Sequence, residues 1–287
     1  MDCFTFGDYQ IAVDLSEFPL KACDAMDVFR DEFHTSPDLI VRGVRMVPDE
    51  FRHARMIFEH DCWEMLDTPK GRCIMQHWTT CRHAYGIYLD ELLNSRELTV
   101  HFAPDLPDKY PLTRTQVVFS TGVHHHLLKS GAAILHASYI DIGGEAILFT
   151  APSGTGKSTQ AELWRQFGGA EVINGDRAII RQREGIWHAF GTPCSGSSRI
   201  CLNRTLPLRA IVVLEQYSEN VIERMTYAAK LRALVAATEV YPWLPEEIDM
   251  AFGIAQQIVS QVPVIRLRCR PDQGAVECLK RYLEENR

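Results

Sequence analysis

Ala151-Pro152-Ser153-Gly154-Thr155-Gly156-Lys157-Ser158 is the stretch that decides the reading of this chain. It matches the phosphate-loop pattern G-x-x-x-x-G-K-[ST] at every fixed position except the first, where Ala151 stands in place of glycine. Gly154 and Gly156 let the backbone curl so that successive N–H groups point inward at phosphate oxygens, and the helix starting near Ser158 adds its positive end. Lys157 is spaced to reach the β and γ phosphates of a nucleoside triphosphate. The hydroxyl of Ser158, or of the adjacent Thr159, suits Mg²⁺, which prefers oxygen ligands. Ser153, Gly154, Thr155, Gly156, Lys157, Ser158 and Thr159 are therefore the candidate nucleotide-binding residues.

Working outward, the apolar run Glu145–Thr150 enters the loop and is preceded by Gly143-Gly144 and a second apolar run, Ala132–Ile142. A Gly-Gly pair between such runs predicts a tight antiparallel hairpin. If Ile142 pairs with Glu145, counting back places His136 opposite Ala151, at the mouth of the loop. A histidine there can orient an acceptor, take its proton or sense phosphate charge; a hydrogen-bonded core histidine is the plain alternative. Downstream, a helix is expected over Ser158–Phe167, then a strand ending at Asn174-Gly175-Asp176. Asp176 is the candidate carboxylate for a metal or its water. Because the loop strand is the second arm of a hairpin, the sheet must be mixed.

Strands are expected at Arg177–Arg181 and Ile186–Phe190 about Glu184-Gly185, and a nearly all-apolar strand at Leu206–Leu214, of the kind buried on both faces. The tail predicts a helix near Val221–Thr238, another opened by Pro245-Glu246-Glu247, a strand at Val262–Leu267 and a last helix over Gln273–Glu284. The N-terminal third alternates with period two, as in Tyr9, Ile11, Val13 and Leu15, or Leu98, Val100 and Phe102, and is read as β-rich. Asp38–Val47 reads as a further strand, and Arg55–Leu66 and Arg72–Trp78 as a hairpin turning at Thr68-Pro69-Lys70-Gly71. Pro104, Pro107 and Pro111 interrupt pairing, so the boundary is placed between a domain 1–112 and an α/β domain 113–287, the latter opening on a helix over Thr115–Lys129.

Composition narrows the function classes. The 287 residues are 46% hydrophobic and 23% charged, and 37 acidic against 30 basic side chains give a net charge of −7 with no basic block. Attraction to nucleic acid or an anionic membrane has no support, so phosphate binding must be local. The longest stretch free of Asp, Glu, Lys and Arg, Met250 to Ile265, holds three Gln and a Pro and falls short of the roughly 20 residues a membrane helix needs. The start, MDCFTFGDYQ, lacks a signal peptide's basic and apolar regions, so a cytoplasmic protein is expected. Nine cysteines, an odd number with no C-x-x-C pair, read as reduced thiols.

Leu135-His136 in the arm before the hairpin, the loop Ser153–Thr159, the acid Asp176, and Gly191-Thr192-Pro193 ahead of the Leu206-Pro207-Leu208 strand together resemble the HPr kinase/phosphorylase family. That family's fold shares its hairpin-fed loop with phosphoenolpyruvate carboxykinase. The resemblance covers roughly residues 120–287 and is strongest over 132–181. It implies a P-loop kinase domain of that type, with ATP and Mg²⁺, and phosphoryl transfer to a hydroxyl. Lys157 would act on the phosphates, Ser158 on Mg²⁺ and Asp176 at the acidic motif. The family carries two adjacent acids there, whereas Gly175 occupies the first position here, so Asp176 serves both metal and acceptor or His136 helps. The family's arginine-containing downstream signature is absent. The chain looks more like stand-alone kinase-like proteins found beside peptide-modification and other biosynthetic genes. A serine of a peptide or protein and a small-molecule alcohol are both reasonable acceptors, and self-association is implied.

Phosphoryl transfer spreads charge over equatorial oxygens, so a further cation is useful. Arg199 and Arg204, after the Gly/Ser-rich loop Gly191–Ser198, are the candidates, with Arg177 competing. His124-His125-His126 cannot chelate together on a helix, because successive residues diverge by about 100°. Ser195, Ser197 and Ser198 are read as flexible-loop residues. Two alternatives stand beside the kinase: a carboxykinase-like enzyme with a transition-metal site, and an ATP-binding sensor without catalysis.

Overall fold

Alternating burial along short strands builds the N-terminal part of the chain, described here from a computed structural model covering residues 1–33, 36–60, 63–78, 81–104 and 112–286. Strands β1 (Asp2–Phe6), β2 (Tyr9–Asp14), β3 (Leu39–Val44), β4 (Arg55–His60), β5 (Trp63–Thr68), β6 (Gly71–Trp78), β7 (Cys81–Tyr88) and β8 (Glu97–Phe102) form one sheet in the order β1-β2-β3-β8-β7-β6-β5-β4. The β2–β3 and β3–β8 pairs are parallel and the others antiparallel. Leu98, Val100 and Phe102 are fully buried on one face, as period two requires. Arg55–Leu66, expected as one strand, is two: β4 and β5 pair with each other, and β5 turns at Thr68–Gly71 into β6. Two short helices, α1 (Asp49–Arg52) and α2 (Leu89–Asn94), complete the connections.

The chain divides into two compact units, Met1–His126 and Leu127–Arg287. Pro107 and Pro111, part of the expected boundary, lie outside the described residues. The division falls later in the chain because helix α3 (Arg114–Ser120) is tied to the first unit. Arg114 Nε donates to Asp2 Oδ2 at 2.7 Å, and the Thr115 N–H to Asp24 Oδ2 at 3.2 Å. The single helix expected over Thr115–Lys129 is broken at Thr121-Gly122, where Gly122 has φ 75°, and resumes as α4 (Val123–Lys129).

The second unit is a mixed sheet with helices on both faces. Its strands are β9 (Ala132–Asp141), β10 (Ala146–Thr150), β11 (Glu171–Asn174), β12 (Arg177–Arg183), β13 (Ile186–Phe190), β14 (Thr205–Gln216), β15 (Val221–Glu223) and β16 (Val264–Cys269). β9 serves several partners: its first half pairs antiparallel with β12, its second half with β10 on one edge and β11 on the other. β14 starts against β13 and then runs parallel between β10 and β16. The helices are α5 (Lys157–Leu163), α6 (Tyr227–Ala237), α7 (Pro245–Gln261) and α8 (Gln273–Glu285).

The alternation of β10 shows why both faces are covered. Ala146 and Leu148 join Leu231 and Leu234 of α6 and Ile254 and Ile258 of α7 in one core. Ile147 and Phe149 join Ala161 of α5, Trp164, and Val276 and Leu279 of α8 in the other. Two expected helices are shorter than read. Ser158–Phe167 ends as an α-helix at Leu163 and continues as one π turn to Gly168; Val221–Thr238 begins as β15, with α6 capped by the Thr226 side chain accepting from the Ala229 N–H. Among the described residues no helix is long and apolar enough to cross a membrane.

Candidate active site

The hairpin sets the site's geometry through its register. Ile142 N–H donates to Glu145 O at 2.9 Å, Ala146 pairs with Asp141 and Thr150 with Ala137, so the next step of the ladder places His136 beside the loop entry. Thr150 Oγ1 donates to His136 O at 3.1 Å. On the other edge of β9, His136 pairs with Arg177, and the Ala137 N–H donates to Asp176 O at 2.9 Å. One strand position thus stands between the phosphate loop and the acid.

Asp176 is aimed by a turn that Asn174 makes. Asn174 is fully buried; its Oδ1 accepts the N–H groups of Asp176 (2.9 Å) and Arg177 (3.0 Å), while its Nδ2 donates to Thr192 O at 2.8 Å. Such a side chain mimics a backbone turn and fixes the residue two positions on. The carboxylate then accepts from His136 Nε2 at 3.2 Å on Oδ1 and from Arg177 Nη1 at 3.0 Å on Oδ2. Arg177 is held in turn by Glu239, Nε to Oε2 at 3.0 Å. The hydrogen bond from His136, with the Arg177 charge, holds the Asp176 carboxyl below the usual carboxylate range against the opposing effect of burial.

The loop has the shape its glycines allow. Gly154 and Gly156 sit at φ 78° and 114°, conformations that side chains with a Cβ rarely adopt. Lys157 is 8% exposed, and its ammonium donates back to Ala151 O at 3.0 Å and Pro152 O at 3.5 Å. Burial pushes its pKa down, opposed by the charge of Asp176, whose field reaches it. Ser158 Oγ donates to Gly175 O at 3.3 Å, and Ser138 Oγ to the same carbonyl at 2.9 Å. Lys157, Ser158, His136 and Asp176 are therefore brought together.

Gly175 has a steric reason to be glycine. A Cβ there would overlap Oγ and Cβ of Ser198, whose hydroxyl donates to Ser195 O at 2.7 Å and accepts from the Ile200 N–H at 3.2 Å. A Cβ on Gly196 would lie 2.7 Å from Asp176 Cβ, so the serine-rich loop packs directly on the acid. Ser195 and Ser198 are thus built into the site's wall.

The two candidate arginines part company. Arg199 ends the short turn Gly196–Ser198, exposed, with φ 57°. Arg204 is not brought to the loop: its Nη2 binds Glu171 Oε2 at 2.6 Å and approaches Asp141 Oδ2 at 3.9 Å, at the hairpin end of β9. Asp141 lies five steps along the strand from His136, roughly 17 Å. His124, His125 and His126 are all buried in α4.

Two cavities are lined by different residues of the loop. One, of about 450 Å³, is lined by Thr155, Thr159, Gln160, Tyr217 and Arg270. Its wall is braced by Gln216 Nε2 donating to Thr155 O at 3.4 Å and by the Arg268 guanidinium 3.7 Å over the Tyr217 ring. The other, of about 530 Å³, is lined by Ala151, Ser153, His136, Arg232, Ala233 and Arg266.

No family model and no curated protein matches the chain. Among solved structures it shows a weak likeness to the HPr(Ser) kinase/phosphatase from Coxiella burnetii, at 12% identity and a TM-score of 0.31, covering 53% of this chain and 88% of that one.

Sequence reasoning missed Asn174, Thr192 and Glu239. The first had a signal, since Asn-Gly-Asp after a strand is turn chemistry. Thr192 lies in the Gly191-Thr192-Pro193 motif, which gave no sign of its bond to Asn174 18 residues back, and Glu239 reaches Arg177 from 62 residues away with no local pattern to mark it.

Proposed function

We propose that this chain is an ATP-dependent phosphotransferase with a P-loop kinase domain, moving the γ-phosphoryl group to a hydroxyl. The observation that carries this reading is the Asp176–His136 pair at 3.2 Å, set beside a glycine-shaped loop whose lysine feels the Asp176 charge. A binding loop alone needs no such pair.

The loop N–H groups and Lys157 would hold the phosphates, with the nucleoside in the cavity beside Tyr217. Ser158 and Asp176 would hold Mg²⁺, which prefers oxygen ligands of the kind a hydroxyl and a carboxylate supply. When bound there, Mg²⁺ supplies neutralisation of charge on the β and γ phosphates. With His136 Nε2–H donating to Asp176, the remaining lone pair of the ring is on Nδ1. That nitrogen takes the proton of the acceptor hydroxyl, and Asp176 steadies the imidazolium that results. Arg199 is kept as a candidate cation for the transferring group; Arg204 is not.

The test is transfer of label from γ-labelled ATP into fractionated extract of the source cells. Lys157→Ala is expected to lower transfer by about 10² or more, and His136→Gln to lower kcat by about 10²–10⁴. Undiminished turnover in Lys157→Ala overturns the proposal, and ATP binding with no transfer in the presence of acceptor favours a sensor.

A further inference from the structure

We infer that the 530 Å³ cleft beside His136 is the acceptor subsite, and that its occupant is a small hydroxy compound carrying a carboxylate or phosphate group, held by Arg232. The inference rests on the phosphotransferase reading and deepens it.

The cleft is lined by Ala151, Pro152 and Ser153 of the phosphate loop, whereas the other cavity is lined by Gly154, Thr155 and Gly156 with Thr159 and Gln160. The two cavities share no lining residue, and of the two only this one includes His136. In the transfer, the bond between the γ phosphorus and the β–γ bridging oxygen breaks, and a bond forms from phosphorus to the acceptor oxygen. The hydroxyl proton passes to His136, leaving ADP and a phosphomonoester.

Size and wall chemistry define the acceptor. A volume of about 530 Å³ falls in the range of small-molecule sites rather than that of a protein surface. Ala229, Ala233 and Ala236 recur at helical spacing along α6, giving a smooth apolar wall with no hydrogen-bonding side chain. The polar groups are His136, Thr150, Ser153 and two arginines, and among the described residues no carboxylate lines the cleft.

The arginines differ in how their charge is used. Arg266 shares its charge with Glu215 at 3.4 Å and Glu223 at 3.5 Å. Across this unit Arg165, Arg177, Arg204, Arg268 and Arg270 are likewise paired with carboxylates. Arg232, exposed on α6, has no ion pair among the described residues. An unneutralised guanidinium at the mouth of a carboxylate-free cleft, in a chain of net charge −7, selects an anion.

The experiment separates this inference from the reading beneath it. Extract is split into polypeptide, small neutral and small anion-exchange-retained fractions, and each is offered with γ-labelled ATP and Mg²⁺. Label is expected in products of the retained fraction alone. Phosphatase treatment of that fraction before the assay distinguishes a phosphate-bearing acceptor, which is lost, from a carboxylate-bearing one, which is kept. Arg232→Ala is expected to raise the apparent KM for that fraction roughly tenfold or more, with kcat and the Kd for ATP within about twofold, and Arg232→Lys to recover part of the loss. Ala233→Leu, which fills the cleft from the same helix, is expected to block transfer while leaving ATP binding intact. Label arising from the neutral or polypeptide fraction, or an unchanged KM in Arg232→Ala, overturns the inference. If no fraction is labelled, the phosphotransferase reading fails, and phenylglyoxal modification of Arg232 read by mass spectrometry decides the rest. Protection by the retained fraction and not by the neutral one upholds an anion-binding cleft, and absence of protection refutes it.

Discussion

Gly175 shows how a single side chain's absence shapes the chemistry beside it. The backbone of Gly175 accepts hydroxyls from Ser138 and Ser158, and the Ser198 side chain covers the space where its Cβ would stand. Gly175→Ala is expected to destabilise the fold by about 1–3 kcal/mol, as overpacking does, and to lower activity by displacing the Ser195–Ser198 loop from Asp176. Ser198→Gly in the same chain should recover most of both losses, measured by urea denaturation and label transfer; a double variant as damaged as the single one would refute the packing argument. Asp176 makes a second prediction. Its carboxyl is held below 3.8, the value of a free aspartate, so the stabilisation from His136 and Arg177 is complete above that pH and is lost as pH falls through the lower folded value. The stability gap between the parent and Asp176→Asn, on the order of 1 kcal/mol for so accessible a pair, should be flat from about pH 5 upward and close in stronger acid. A gap that widens on acidification would reverse the sign. At this scale the sequence was informative where structure is local: Lys157 and Ser158 share one glycine-shaped loop, and the turn that aims Asp176 is written in Asn174-Gly175-Asp176. Arg204 was not placed by its sequence position, because proximity in sequence to a loop says nothing about which end of a strand an arginine's partner occupies, and here that partner is Glu171.

The element on which the site depends most is the β9–β10 hairpin, because a one-residue slip would turn His136 to the opposite face. The turn fixes that register. Gly143 and Gly144 have φ 67° and 92°, the pair of left-handed residues that a two-residue hairpin favours, and the Gly144 N–H donates to Asp141 Oδ1 at 2.7 Å. Gly143→Asn, which tolerates that conformation, is expected to be neutral or stabilising by up to about 1 kcal/mol. Gly143→Val should cost about 1–2 kcal/mol, with a matching drop in Tm and no change in the KM for ATP if the register survives. Equal Tm values for the two variants would show that the turn does not set the pairing. This hairpin was legible because both its signals, apolar alternation and Gly-Gly, lie within 20 residues. The single helix expected over Thr115–Lys129 was not, since periodicity continues across Gly122 while its φ of 75° ends the helix.

At the scale of the whole chain, the contacts that assemble the candidate site among the described residues come from residues between His136 and Arg270, all in the second unit. That unit also owns its core: one cluster joins β9, β10 and β14 to α6 and α7, and the other joins the opposite face to α5 and α8. A fragment of about 170 residues is large enough to bury such a core without help. Residues 121–287, a segment that keeps α4 whole, are therefore expected to unfold in a single cooperative urea transition. The fragment should bind ATP with a Kd within about threefold of the full chain by calorimetry, because the loop, Lys157 and the Tyr217 cavity are all retained. It should also keep the loss of kcat in His136→Gln if transfer requires only the cleft beside Arg232. A fragment that folds and binds ATP but no longer transfers label would assign the acceptor step to the eight-stranded sheet of the first unit, and a fragment that fails to fold would show that the second unit's two cores are insufficient alone.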